Sequence, residues 1–207
     1  MKIAKVSLAL IVSCSSLCAS ADAAVAAKVG AYSPIKLTSG VNHITAFSAD
    51  GRDARIVLAW RDNANAHGYD VFLVLMPTRR GGTDWNVVGF EDGNEFQDQI
   101  TDAPHTGEDV ARAVRFVTTL SRGRRVPLVA TATRSIKTSY PDPATTVVSL
   151  YALAQSEGVP GTTTDYFKVV RKWTTQRTYC NAELALQDEL GIPVRQDYAG
   201  SKNSGGC

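Results

Sequence analysis

Short apolar runs separated by turn residues dominate this chain, and their spacing predicts strands. Val41 to Ser48 ("VNHITAFS") alternates almost residue by residue and ends at Asp50-Gly51, a strong turn signal. Arg55 to Trp60 ("RIVLAW") and Tyr69 to Met76 ("YDVFLVLM") are β-branched and apolar, and an Asn-rich link joins them as neighbouring strands. Trp85 to Phe90 follows the turn at Gly81-Gly82 and stops at Asp92-Gly93. Val126 to Lys137, Thr145 to Leu153 and Tyr166 to Trp173 continue the series, with the Val, Thr, Tyr and Trp content that suits a pleated, half-buried surface.

Two segments carry a helical pattern. In "TGEDVARAVRFVTTL", Thr106 can cap a helix with Val110, Ala113, Val114 and Val117 on one face, yet the same residues alternate well enough for a strand. The strands on both sides favour the strand. Near the end, Asn181 as cap, "AELALQDEL" and the stop at Gly191 and Pro193 predict a short helix. The expected fold is mainly β, a jelly-roll-like β-sandwich with one short C-terminal helix.

The first residues predict export. Met1 to Lys5 carries two lysines, Val6 to Val12 is apolar, and small residues cluster at Ala19, Ala21, Ala23 and Ala24. That run is shorter than the roughly 20 apolar residues a spanning helix needs, so no membrane-spanning helix is expected. We therefore divide the chain into a signal peptide, residues 1–23, a single domain, residues 24–195, and a Gly/Ser-rich tail, residues 196–207. Periplasmic localisation follows. Ile11-Val12-Ser13-Cys14 offers a second exit, in which Cys14 is lipidated and anchors the protein.

Composition narrows the function classes. The formal net charge of +2 nearly vanishes once Lys2 and Lys5 are removed, so nucleic-acid binding has no electrostatic support. The basic group at Arg122, Arg124 and Arg125 reads as a solvated turn. After ordinary cleavage Cys180 and Cys207 are the remaining cysteines, and an oxidising compartment makes them the natural disulfide. A tail with an unpaired terminal thiol is the alternative.

Catalytic patterns are weak. Ser33-Pro34-Ile35-Lys36 matches the Ser-x-x-Lys of serine β-lactamases, but that chemistry needs the serine at a helix start. His43, His67 and His105 stand apart, without zinc-ligand spacing, and the Asp-Gly turns lack the early carboxylates of a calcium loop. No cofactor motif is present, and the chain reads as a non-enzymatic binding protein. Its candidate ligand contacts are Trp60, Asn65, His67, Tyr69 and Asp70, where a polar loop flanked by aromatics joins two strands. The bland reading of the same loop is a turn closed by its own Asn and Asp side chains.

"KLTSGVNHITAFSADGRDARIVLAWRDNANAHGYDVFLVL", "WNVVGFEDG", "SYPDPATTVVSLYAL" and "YCNAELALQDELG" resemble, in order, the carbapenem intrinsic-resistance proteins of the CarG type. The resemblance runs from about Ile35 to Gly191. It implies a periplasmic β-sandwich that protects its cell from a carbapenem, a β-lactam, without being a known β-lactamase, and that acts alongside a second periplasmic resistance protein. This chain departs from the family at Gly107-Glu108-Asp109-Val110, where members tend to carry Gly-x-Asp-Cys. The family's disulfide pattern is therefore not carried over. An envelope- or carbohydrate-binding module is the alternative function.

Overall fold

Period-two burial along the strands builds the molecule. The computed structural model describes residues 32–195 apart from 65–67, 79–82, 94, 104–109, 138, 140–141 and 159–162. The strands are β1 (Ser33–Pro34), β2 (Gly40–Ile44), β3 (Ala54–Arg61), β4 (Tyr69–Pro77), β5 (Trp85–Asp92), β6 (Glu95–Gln97), β7 (Ile100–Thr101), β8 (Arg112–Ser121), β9 (Arg124–Arg134), β10 (Ala144–Gln155) and β11 (Asp165–Tyr179). One helix, α1 (Ala182–Leu190), follows β11. The fold is mainly β with one short helix, as the alternation predicts.

The strands form one sheet in the order β1-β8-β9-β10-β11-β5-β4-β3-β2. It curls into a half-barrel, so the two layers expected of a sandwich are parts of one continuous sheet. The join is the parallel pairing of β11 with β5, in which Tyr166, Phe167 and Lys168 face Gly89, Phe90 and Glu91. Gly89 is required there, because an added Cβ would lie 2.3 Å from the Phe96 ring. The opposite seam is drawn together by β7, which pairs with β4 and leads to Ala103, bridged to Arg112 on β8.

β8 explains why its sequence reads two ways. Val114 and Phe116 enter the inner core with Phe72, Phe90, Tyr151 and Phe167, while Ala113 and Val117 enter a second core on the outer face. A strand buried on both faces has an almost continuous apolar run, which periodicity alone does not separate from a helix. The strand reading of Arg112 to Leu120 holds, and residues 106–109 lie outside the described residues. The basic turn is a tight hairpin between β8 and β9, with Arg122 at φ 50° and Gly123 at φ 76°.

On the outer face α1 covers β8 to β11. Leu184, Leu186 and Leu190 are buried against Ala130, Ala132, Val148 and Tyr179. Each buried leucine contributes about 1.5–3 kcal/mol, support that a helix this short needs because it is marginal in isolation. Asn181 caps it by accepting from the Glu183 N–H at 2.8 Å, and Gly191, left-handed at φ 67°, ends it. Both stops fall where the sequence places them. Residues 1–23, expected to be a signal peptide, and the tail, residues 196–207, lie outside the described residues, and among those described no helix is long and apolar enough to cross a membrane.

Candidate functional site

The strand registers bring one end of the half-barrel together from seven elements. The start of β4, the ends of β3, β5, β9 and β11, and the starts of β8 and β10 meet there. The end of β3 and the start of β4 border this end, so Trp60, Tyr69 and Asp70 of the sequence-predicted contacts lie on its rim.

Those contacts do not share one face. Trp60 pairs with Asp70, and Tyr69 pairs with Arg61, so the two pairs point to opposite sides of the sheet. Trp60 is 47% exposed and sits over Gly68, where an added Cβ would come within 2.2 Å of its ring. Tyr69 faces outward and hydrogen-bonds to the Arg61 guanidinium. Asp70 is buried, and its carboxylate binds Arg195 at 2.9 Å. Arg195 also lies 3.6 Å from Asp102, which in turn accepts the Asp70 N–H at 2.8 Å. Asp70 thus works as a latch for the segment after α1 rather than as an open ligand group. Asn65 and His67 lie outside the described residues.

Behind that rim the inner wall changes character in steps. Deep in the barrel, Phe116, Val129, Tyr151 and Val169 form an apolar row across β8 to β11. The next row toward the opening is Val114, Thr131, Ser149 and Lys172, and the last is Arg112, Thr133, Val147 and Thr174. Thr131 and Ser149 are each 3% exposed, so this row is polar and closed to solvent.

Tyr151 reaches up from the apolar row. Its ring packs edge-on against Phe90 at 6.4 Å, and its hydroxyl lies 3.5 Å from the Asp92 carboxylate and hydrogen-bonds with Thr131. Burial, and then the Asp92 charge, push the phenol above its ordinary range, with Arg112 acting the other way. Tyr151 therefore stays a neutral donor. Lys172 binds Asp92 at 3.0 Å and is half exposed. Arg112 is half-buried, its Nε has no acceptor, and among the described residues it has no carboxylate partner.

None of Asp92, Arg112, Thr131, Tyr151 and Lys172 stands out in the sequence. They come from five strands, and no spacing connects them. Among the described residues no cluster of His, Cys, Asp and Glu is placed to hold a metal ion. Ser33 lies in β1 and Lys36 follows in extended chain, so this Ser-x-x-Lys lacks the helical turn its chemistry needs. Cys180 is buried at the end of β11 and is not a free thiol, while Cys207 lies outside the described residues.

No protein-family model and no curated protein matches the sequence. Among solved structures, the chain is similar to a crystal structure of CarG, with a TM-score of 0.61 and 20% identity over 79% of this chain and 99% of that one. At that identity the likeness is one of fold: this chain adopts a CarG-like, mainly β architecture.

Proposed function

We propose that the protein is exported and gives its cell tolerance to a carbapenem without turning it over, by holding the antibiotic or by shielding its envelope targets. The observation that carries this reading is the CarG-like fold, which spans 99% of the CarG chain. In this reading Trp60, Asn65, His67 and Tyr69 are the residues that first meet the ligand. Cys180 and Cys207 pair in the oxidising periplasm, and a second periplasmic resistance protein acts alongside.

The test is carbapenem susceptibility of a sensitive Gram-negative host expressing the full chain, against the same gene lacking codons 1–23. Protection that depends on the leader is expected. A folded, exported protein that gives no protection, even with a CarG-family partner supplied, removes the tolerance reading and favours an envelope-binding module. Stable carbapenem absorbance over hours with stoichiometric protein is also expected, whereas turnover would make the protein a hydrolase.

A further inference from the structure

We infer that the outer face of β2, β3, β4 and β5 binds the same face of a second copy of this chain, about a two-fold axis running along β4. The inference goes beyond the tolerance reading, because it stands on the composition and charge of this face whatever the protein's role in the cell.

Alternation supplies the face. While Ile56, Phe72, Val74 and Val88 point into the inner core, the residues between them point outward. Register sets these side by side: Val41 with Val57 and Leu73, Ala59 with Val71, and Leu75 with Val87. They belong to neither core, and among the described residues no helix or strand packs over them. The other half of the sheet shows what a cover does. Under α1, Ala130, Ala132, Val148 and Leu150 are 0–2% exposed. Val57, Leu73, Leu75 and Val87 are only half-buried, and Val41 is 67% exposed.

The composition is that of a contact surface. Where these strands pair with one another, the outward positions hold no lysine, aspartate or glutamate, and the larger polar groups are Arg55, Arg61, Tyr69 and Trp85. Interface cores are depleted in Lys, Asp and Glu and enriched in Tyr, Trp and Arg. Strands about 4.8 Å apart and residues about 3.4 Å apart make the face about 19 Å by 30 Å, the scale of the roughly 800 Å² that each partner buries in a specific pair.

Charge chooses the occupant. Arg55 lies across the face with its guanidinium 4.0 Å from the centre of the Trp85 ring, on the β5 side, and has no carboxylate partner among the described residues. Asp53, two residues earlier, stands on the β3 side at the same end of the strands, 40% exposed, with His43 at 2.9 Å. A two-fold axis along β4 exchanges the two sides. The Arg55 of each copy then meets the Asp53 of the other, and the leucines of β4 pack between. A second copy carries this complement by symmetry, as an isologous interface requires.

The other candidates in the molecule carry less. The cleft lined by Ser48, Arg125, Pro127, Leu153 and Asp165 holds only 80 Å³, below the roughly 300 Å³ at which ligand pockets begin. The Arg115–Glu183 pair satisfies itself under α1. Along β11 the edge beyond Lys168 is guarded by Arg171, Lys172 and Arg177, and nothing shows what would cover it.

The experiment is sedimentation velocity across the micromolar range, on protein purified after export of the full chain. A dimer is expected. Leu73→Glu should weaken it at least tenfold while circular dichroism stays that of the folded chain. Leu120→Glu, at a 72% exposed position in the other half of the sheet, should change nothing. Arg55→Asp and Asp53→Arg should each weaken the dimer at least tenfold, and an equal mixture of the two variants should restore it, because every pair across the axis is then opposite in charge. A wild-type chain that stays monomeric overturns the inference and leaves the face to its own tail or to another protein. A dimer indifferent to Leu73→Glu, or charge variants that stay apart when mixed, would overturn it as well. Should Leu73→Glu fail to fold, an unchanged dimer in Arg55→Asp, whose side chain is exposed, is the overturning result.

Discussion

Two arginines sit at opposite ends of the same half-barrel, and their surroundings differ completely. Arg52 places its guanidinium against Asp165 through two bonds of 2.8 and 2.9 Å, reaches Asp50 at 2.9 Å and donates to the Pro77 carbonyl at 3.2 Å. Its hydrogen bond to Asp165 holds it above the ordinary arginine range. Arg112, at the other end, has no such set. A saturated arginine that ties the loop before β3 to the start of β11 closes one end of the barrel. Among the described residues Arg112 makes no ion pair, so its side chain ties no second segment to β8. Both are partly buried, so the difference lies in partners, and partners distinguish a cation that ties segments together from one that does not.

The largest effect expected from that contrast is at the closed end. Asp165→Asn leaves Arg52, at 14% side-chain exposure, beside a neutral amide, and removing one partner of a buried pair costs about 3–5 kcal/mol. Urea denaturation measures it, and a loss below about 1 kcal/mol would put this pair in the surface class and dissolve the comparison.

At the open end the rim should be less costly to disturb. Gly68→Ala drives a methyl into the Trp60 ring, an overpacking worth about 1–3 kcal/mol. Near-UV circular dichroism should change with it, as the indole is pushed off its seat. An unchanged spectrum would mean the rim is already loose.

Tyr179 sharpens the comparison through pH. Burial, then Asp188 and Glu189, push its pKa from 10.0 to about 12. Between those values the folded chain keeps a proton that the unfolded chain has released, so stability is intact below the window and falls as pH rises through it. Urea midpoints at about pH 9 and about pH 11 should differ, and Tyr179→Phe should flatten part of that slope.

The smallest effect on stability is expected from Arg112→Gln, within about 0.5 kcal/mol, because no ion pair is lost and a buried charge is removed. A loss above about 2 kcal/mol would make Arg112 a structural residue like Arg52 and end the asymmetry.

What was legible in the sequence is the local part. Alternation in "YDVFLVLM" gives β4 its buried Phe72, Val74 and Met76, and Asn181 and Gly191 bracket α1 through cap geometry that depends on a few consecutive residues. Pro127 shows where local rules need context: it lies in β9 opposite Thr118, beyond the last pairing of β9 with β10 at Leu128, so its missing N–H costs no sheet bond on that side. The candidate loop was legible as a turn between strands, but the register that sends Trp60 inward and Tyr69 outward was not.

By itself, then, the sequence determined the strand and helix stretches, the turns between them and the mainly β class, because these follow from side-chain periodicity and backbone preferences within a few residues. Only the tertiary structure decided that the layers are one curled sheet, that Asp70 closes on Arg195, and that Arg112, Thr131, Tyr151, Lys172 and Asp92 come to one end of the half-barrel. The physical reason is the same in each case. Strand order and register are set by contacts among residues far apart in the chain, and a charge's surroundings exist only once those contacts have formed.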